Sequence, residues 1–443
     1  MMEKKALVIG AARSGIAAAG FLGRNGWTVT LSDLMAPDFS LSLPSSVKTS
    51  WGPQQSDLLE NVELVVVSPG VPSDIPILKK AQELKIEVIG ELELFYQNCP
   101  LPILAVTGTN GKTTTVSLLE GMMKTSNLPV LLGGNIGRAL SEEADNLPSS
   151  GWVVLEVSSY QLESTKCFRP HIGAILNLTP DHLERHKTFS AYQEAKEKIF
   201  ANQTGQDFLV LNHEDPLVKE MATRSQSKVV FFSLNVPLTE GIWGDEKSLY
   251  WSWAGITEKV LDWAEVKLLG NHNRENIAAA GAIALLSGVT LQQVARIATT
   301  FQGVEHRIEW IRDLDGVSYY NDSKATNPES AIKALDSFSS PLIWLAGGYD
   351  KGTDLLPMMN LAKEKVKEAI FFGAGAERFS EAARKAGLLQ VKQVADLPSA
   401  LKQAKISSEV GDTILLSPAC ASFDQFSNYE ERGILFKEWV REL

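Results

Sequence analysis

The run Gly108-Thr-Asn-Gly-Lys-Thr-Thr114 follows the apolar stretch Ile103-Leu-Ala-Val-Thr107 and opens a helical pattern. A strand that runs into a glycine-bearing turn and then a helix is built to hold phosphate. The glycines let backbone N–H groups curl around phosphate oxygens, and the helix N-terminus adds its positive dipole end. Lys112 supplies a point charge and Thr113 a hydroxyl for Mg²⁺, while Gly108, Thr109, Asn110, Gly111 and Thr114 complete the loop. Use of a nucleoside triphosphate is the first expectation. Val106 stands where the usual P-loop has its first glycine, so this loop is shorter than the general motif.

Further candidates stand at the ends of apolar runs. Trp152–Val157 leads into Glu156-Val-Ser-Ser-Tyr-Gln161, and Ile172–Asn177 into Asn177-Leu-Thr-Pro-Asp-His182. If these are parallel strands beside the P-loop strand, Glu156 and His182 reach the same sheet edge and can join Thr113 around Mg²⁺. The competing reading makes Glu156 a helix cap and His182 an ordinary helix residue. In Phe189–Phe200 helical spacing places Lys196 on the apolar side with Phe189, Tyr192, Ile199 and Phe200, while Lys198 points away. Lys196 either snorkels to water or is held neutral and converted by CO₂ to a carbamate that ligates metal. His171, His186 and His213 are read as surface or structural. Gly270-Asn-His-Asn-Arg-Glu-Asn276 opens an alanine-rich helix, where asparagine either caps the helix or contacts a nucleotide.

Gly10-Ala-Ala-Arg-Ser-Gly15 follows another strand, and Asp33 closes the next one. That pattern suggests a dinucleotide site, but Ala12 replaces the glycine that lets a pyrophosphate approach the backbone, so another nucleotide-linked anion fits better. Near the C-terminus, Asn321-Asp-Ser-Lys-Ala-Thr-Asn327, Gly347-Gly-Tyr-Asp-Lys-Gly352 and Ser417-Pro-Ala-Cys-Ala-Ser-Phe-Asp-Gln-Phe426 fall at strand ends. Lys324, Thr326, Lys351 and Ser422 there offer cations and hydroxyls to an acidic small molecule.

The elements that must hold these groups alternate strand and helix three times over, which predicts an α/β fold of three domains. These are an N-terminal Rossmann-like domain over 1–98, a central P-loop ATPase-like parallel sheet over 99–303, and a C-terminal Rossmann-like domain over 304–443. A Trp-rich stretch near Ile242–Trp253 reads as an antiparallel appendage to the central sheet. The net charge of −11 argues against a nucleic-acid surface, and the three cysteines carry no metal or disulfide spacing. No apolar window is long enough for a membrane span and the first strand begins too early for a signal peptide, so a cytoplasmic location is expected.

Taken in order, Thr107–Thr114, Glu156-Val-Ser-Ser159, Asn177–His182, Gly270–Asn276 and His306-Arg307 resemble the shared motifs of the Mur ligase family of peptidoglycan synthesis, across essentially the whole chain. Asn321–Asn327, Leu416–Phe426 and Asn428-Tyr-Glu-Glu-Arg-Gly433 resemble more narrowly its D-glutamate-adding branch. The resemblance implies ATP-dependent ligation of D-glutamate to UDP-N-acetylmuramoyl-L-alanine through an acyl phosphate, with Lys112, His182 and Lys196 catalytic. It implies ATP contacts from Gly108–Thr114, Asn276, Arg307 and Asp322, and two Mg²⁺ ions held by Thr113, Glu156, His182 and a carbamate on Lys196. Ala12, Arg13, Ser14, Gly15, Asp33, Ser68, Gly70, Asn135 and Ser158 would hold the UDP-linked substrate. Lys324, Thr326, Lys351, Ser422, Phe423 and Tyr429 would surround D-glutamate. A monomer is expected, with neither nucleic acid nor membrane as partner. An NAD-dependent oxidoreductase would use the Gly10–Gly15 turn but leave the P-loop idle, and a nucleotide switch would leave the substrate-like clusters unexplained. A folate or other amino-acid-adding ligase is the alternative within the enzyme class.

Overall fold

The computed structural model describes residues 4–37, 39–350 and 352–443, with the Leu183 side chain also outside the description. Lys351, expected at the amino-acid site, lies outside the described residues. Three sheets form. The first comprises β1 (Lys5–Ile9), β2 (Thr28–Asp33), β3 (Val47–Trp51), β4 (Leu64–Val67) and β5 (Glu87–Gly90), in the order β3-β2-β1-β4-β5 and parallel throughout. Alternate residues of β1 enter different cores: Ala6 and Val8 pack on one face, Leu7 and Ile9 on the other. Helices therefore cover both faces, which is why β1 and β4 read as unbroken apolar runs.

The second sheet holds β6 (Ile103–Thr107), β7 (Val130–Gly134), β8 (Trp152–Glu156), β9 (Ile172–Ile175), β10 (Phe208–Asn212), β11 (Lys228–Ser233), β12 (Gly241–Gly244), β13 (Ser248–Trp253) and β14 (Ile256–Asp262). Their order is β14-β13-β12-β11-β10-β9-β6-β8-β7. The pairs from β12 back to β7 are parallel, and the β12-β13-β14 ribbon is antiparallel, as the Trp-rich stretch predicts. Trp243 stacks on Tyr250 across that ribbon with ring centroids 4.6 Å apart. Because β6, β8 and β9 are adjacent and parallel, the P-loop, Glu156 and the segment after Ile175 emerge at one edge.

The third sheet contains β15 (Glu309–Leu314), β16 (Val317–Asn321), β17 (Leu342–Gly347), β18 (Val366–Phe372), β19 (Val391–Val394) and β20 (Thr413–Leu416), in the order β15-β16-β20-β17-β18-β19. Only β15 runs antiparallel to its neighbour. Leu342, Trp344 and Ala346 enter one core and Ile343 and Leu345 the other, so this sheet too is covered on both faces.

The chain divides into two compact units, one of Met1–Val266 with His272–Thr299 and a second of Lys267–Asn271 with Thr300–Leu443. Within the first unit the helix Glu91–Asn98 joins the first two sheets. Glu93 on this helix is fully buried and accepts the backbone N–H groups of Lys166, Cys167 and Phe168 at 2.9–3.0 Å. Three charge-assisted bonds to one carboxylate offset the cost of burying it. Glu93→Ala is expected to destabilise this unit by about 3 kcal/mol, because buried amides lose their acceptor. Urea unfolding checks this, and an unchanged midpoint would show that the carboxylate is dispensable.

Candidate active site

The P-loop is held from behind by residues that bring three strand ends together. Asn177 Oδ1 accepts the Asn110 N–H at 2.8 Å, the Asn177 amide donates to Asn110 O at 3.2 Å, and Thr109 N–H donates to Asn177 O at 3.0 Å. The Thr109 hydroxyl accepts from Thr179 N–H at 3.0 Å and lies 3.0 Å from the Tyr192 hydroxyl. Gly111 sits at φ +86°, and an added Cβ there would come within 2.3 Å of Asn276 Oδ1. Both the left-handed backbone and the missing side chain are therefore required at the start of the helix Lys112–Met123. Asn276 is buried and its Oδ1 lies 3.3 Å from the Thr115 hydroxyl, which places it against the loop instead of at a helix cap.

Two lysines converge on one loop oxygen. Lys112 Nζ donates to Gly108 O at 2.9 Å and Thr109 O at 3.0 Å; Lys196 Nζ donates to the same Gly108 O at 2.9 Å and lies 3.3 Å from the Thr107 hydroxyl. Lys196 is 1% exposed, so it does not snorkel. Burial, reinforced by the Lys112 charge and partly offset by Asp181, holds its amine well below the ordinary lysine pKa. Its ammonium also lies over the Tyr192 ring, 4.7 Å from the centroid.

Glu156 is 2% exposed. Its Oε1 accepts from the Asn135 side-chain amide at 2.9 Å, and its Oε2 is buried with no hydrogen-bond partner. A helix cap it is not, since Ser158 caps the helix Ser159–Glu163 in a reciprocal box with Gln161. An orphaned carboxylate oxygen beside a phosphate loop fits a divalent cation. His182 precedes the helix Leu183–His186 at φ +53°, with its Nε2 3.6 Å from Asp181 Oδ2 and its Nδ1 3.7 Å from Glu184 Oε1. Among the described residues no group of three or more His, Cys, Asp or Glu side chains is arranged to hold a metal ion by itself.

The Gly10–Gly15 turn belongs to the same site. Asp33 accepts the N–H groups of Ala11 and Leu34, both at 2.6 Å, and the Ser68 hydroxyl donates to Gly10 O at 3.0 Å. Arg13 donates to Gly137 O at 2.6 Å, tying this turn to the loop after β7. A cleft of about 720 Å³ runs from the turn to the P-loop edge. Ala12, Arg13, Ser14, Asp33, Ser68, Gly70, Asn135, Ser158, Lys112, His182 and Lys196 line it. Gly15 stands behind the turn, where an added Cβ would lie 1.8 Å from Gly10 O; its contribution is close packing. Sequence reasoning assigned no role in the site to Asn177, Asp181, Ser159 or Tyr192, although the first three fall inside motifs that it singled out and Tyr192 on the helix face that carries Lys196.

In the second unit, Arg307 lies between His306 at φ +63° and Ile308 at φ +44°. Two bonds hold this turn to the segment after β16: Ile308 N–H donates to Asp322 Oδ1 at 3.2 Å, and Lys324 N–H to His306 O at 3.0 Å. Asp322 is buried and also accepts from the Ser417 hydroxyl at 2.7 Å; burial pushes its carboxyl up to about 7 despite these bonds and the Arg307 charge. Lys324 Nζ lies 5.8 Å from the Tyr429 ring centroid, and burial raises the Tyr429 phenol to about 12. Arg432, fully buried and missed from sequence, donates to Ser323 O at 2.8 Å and Cys420 O at 3.2 Å. It thereby holds the loops bearing Lys324 and Thr326 to the loop bearing Ser422. Ser422 is buried and Phe423 is exposed.

A phosphate loop and a buried amine therefore face a cleft that starts at a nucleotide-type turn, an arrangement suited to chemistry on a nucleoside triphosphate. Residues 4–90 match the family model described as Mur ligase MurD-like, N-terminal domain, residues 106–284 the Mur ligase middle domain, and residues 306–420 the Mur ligase glutamate ligase domain. Two curated relatives carry the name UDP-N-acetylmuramoylalanine--D-glutamate ligase. That of Thermoanaerobacter pseudethanolicus is 42% identical, covering 99% of this chain and 98% of its own. That of Pelotomaculum thermopropionicum is 43% identical, covering 100% and 98%. The chain belongs to the Mur ligase family of ATP-dependent amide-bond-forming enzymes. The UDP-N-acetylmuramate-alanine ligase MurC of Thermotoga maritima shares the fold at TM-score 0.59 and 20% identity over 99% of both chains. MurF of Acinetobacter baumannii shares it at TM-score 0.62 and 17% identity over 98% of this chain and 93% of its own.

Two outcomes check this geometry. Asn177→Ala, which releases the loop without touching its glycines, is expected to raise the KM for ATP roughly tenfold, the worth of one or two lost hydrogen bonds. Asp322 titrates near 3.8 when unfolded and about 7 when folded. Its stabilising contribution is thus full below pH 4 and is lost as pH rises toward 7. Asp322→Asn should flatten that slope in urea midpoints taken across this range; an unaltered slope would contradict a buried carboxyl.

Proposed function

We propose that this enzyme joins D-glutamate to UDP-N-acetylmuramoyl-L-alanine at the expense of ATP, in the cytoplasm, as a monomer serving peptidoglycan precursor synthesis. The observation that carries the reading is the single cleft that runs from the Gly10–Gly15 turn to Lys112, His182 and Lys196. A nucleotide-linked substrate seated at the turn has its far end delivered to the P-loop edge. The names of the curated relatives support the choice of substrates. The domain boundaries are placed at 98/99 and 303/304, one domain for each substrate.

The chemistry follows from what a carboxylate and an amine require. The L-alanyl carboxylate attacks the γ-phosphorus of ATP, ADP leaves, and an acyl phosphate forms. The deprotonated amine of D-glutamate attacks that carbonyl, an amide bond forms, and inorganic phosphate departs. Lys112 offsets charge on the transferred phosphoryl group. Gly108–Thr114 with Asn276 cradle ATP, and Arg307 and Asp322 serve the same nucleotide. Thr113, Glu156, His182 and Lys196 would hold Mg²⁺, two ions being expected, and Mg²⁺ when bound neutralises phosphate charge. Lys196 takes part as a carbamate: its neutral amine forms an N–C bond with CO₂ and loses a proton, which turns a buried amine into an anionic oxygen ligand. Lys324, Thr326, Ser422, Phe423 and Tyr429 bind D-glutamate, with Lys351 assigned on sequence alone.

ADP release should require both UDP-N-acetylmuramoyl-L-alanine and D-glutamate. Turnover with another amino acid or a folate would overturn the substrates while keeping the ligase. Lys112→Ala is expected to lower ligation at least about a thousandfold, as loss of a charge opposed to the reacting phosphoryl group does. ¹³C-bicarbonate should give a carbamate resonance that Lys196→Ala abolishes together with activity; its absence in the active wild-type enzyme would exclude the carbamate.

A further inference from the structure

A chain of three side chains lies beside the cleft and has no part in the chemistry above. Ser159 Oγ lies 3.0 Å from His186 Nε2, and His186 Nδ1 lies 3.0 Å from Glu163 Oε1. Ser159 and His186 are 3% and 7% exposed, yet Ser159 lines the cleft. The imidazole has the Tyr160 and Tyr192 rings against it, with centroids 5.5 and 5.3 Å away. The other Glu163 oxygen accepts from the Arg185 guanidinium at 2.8 Å. All these groups belong to the first unit.

Counting protons gives the chain a direction. A carboxylate paired with Arg185 can only accept, so the hydrogen on His186 belongs on Nδ1. Glu163 already has Arg185 as its counter-charge and the ring is packed between Tyr160 and Tyr192, so one hydrogen on Nδ1 satisfies it and Nε2 keeps its lone pair for the Ser159 hydroxyl. Ser159 then directs its O–H at Nε2, and the lone pairs of its oxygen remain for the occupant of the cleft. Elsewhere on the wall Lys112 and Arg13 are donors, and Asp33 and Asp181 are acceptors. An acceptor among them favours an N–H or O–H of the substrate and disfavours a phosphate oxygen, which is itself an acceptor.

We propose that Ser159 binds the substrate as a hydrogen-bond acceptor, held in that state by His186 and Glu163, and that it reads an amide N–H or hydroxyl on the sugar-peptide end of the nucleotide-linked substrate. The identity of that substrate rests on the function proposed above, whereas the polarity of Ser159 does not. His186 and Glu163 are positioning residues that act through the serine.

Two measurements separate these layers. In ligand-free protein carrying ¹⁵N-histidine, the His186 signals, assigned by their loss in His186→Gln, should show the Nδ1–H tautomer. An Nε2–H tautomer overturns the proposal whatever the substrate. In calorimetry, Ser159→Ala should weaken UDP-N-acetylmuramoyl-L-alanine binding about tenfold, the worth of one hydrogen bond, and leave UDP binding unchanged. Ser159→Thr, which retains the hydroxyl, should restore most of the affinity. Glu163→Gln should weaken binding in the wild-type background and add nothing in Ser159→Ala. Equal losses for UDP and the full substrate, or additive losses in the double variant, overturn the relay. The same three groups in this order can activate a nucleophile, so covalent labelling of Ser159 by a fluorophosphonate would also overturn the acceptor role. A wild-type protein that binds UDP but not the full substrate would sink the proposed function, and the tautomer would still decide the polarity.

Discussion

Two lysine amines share one carbonyl oxygen, and much of the site follows from that. Lys112 and Lys196 both donate to Gly108 O at 2.9 Å, in a place where Lys196 has almost no contact with water. Two ammonium groups in such proximity repel each other, and burial removes the solvent that would screen them. The buried Lys196 amine is pushed toward neutrality.

The scaffold that forces this meeting is the parallel central sheet. Since β9, β6 and β8 are neighbours in register, the Asn177 turn, the P-loop and Glu156 emerge side by side. Asn177 then binds the loop backbone in both directions, and Asn135 occupies one oxygen of Glu156 while leaving the other. Pre-formed geometry of this kind places the ordering cost in folding instead of in the reaction cycle. The second unit uses a comparable device with opposite polarity: a buried arginine, Arg432, holds the carbonyl oxygens of Ser323 and Cys420 and so fixes the loops on either side.

The wall of the cleft carries groups of several kinds. At the Gly10–Gly15 turn, Asp33 and Ser68 are consumed in holding the backbone, which leaves the turn itself to face the occupant. Further in, Lys112 supplies positive charge, and Ser159 stands with its proton directed away from the cleft.

Much of this was legible in the chain. Runs buried on both faces, such as β1, β6 and β17, announce themselves by unbroken apolar residues, and the glycines, Lys112, Glu156, His182 and Lys196 carry their chemistry in residue type and spacing. Edge strands were not legible: β3, β15 and β19 carry polar residues because one side has no neighbour. The amino-acid sequence by itself determined the α/β class, the phosphate loop and an out-of-place lysine on an apolar helix face. Only the tertiary structure decided that Lys196 is buried against Gly108 O, that Glu156 keeps one oxygen unpaired, and that Ser159, His186 and Glu163 line up. These are distances between residues that local periodicity cannot relate, because they depend on which strands become neighbours and on how far burial removes water from each charge.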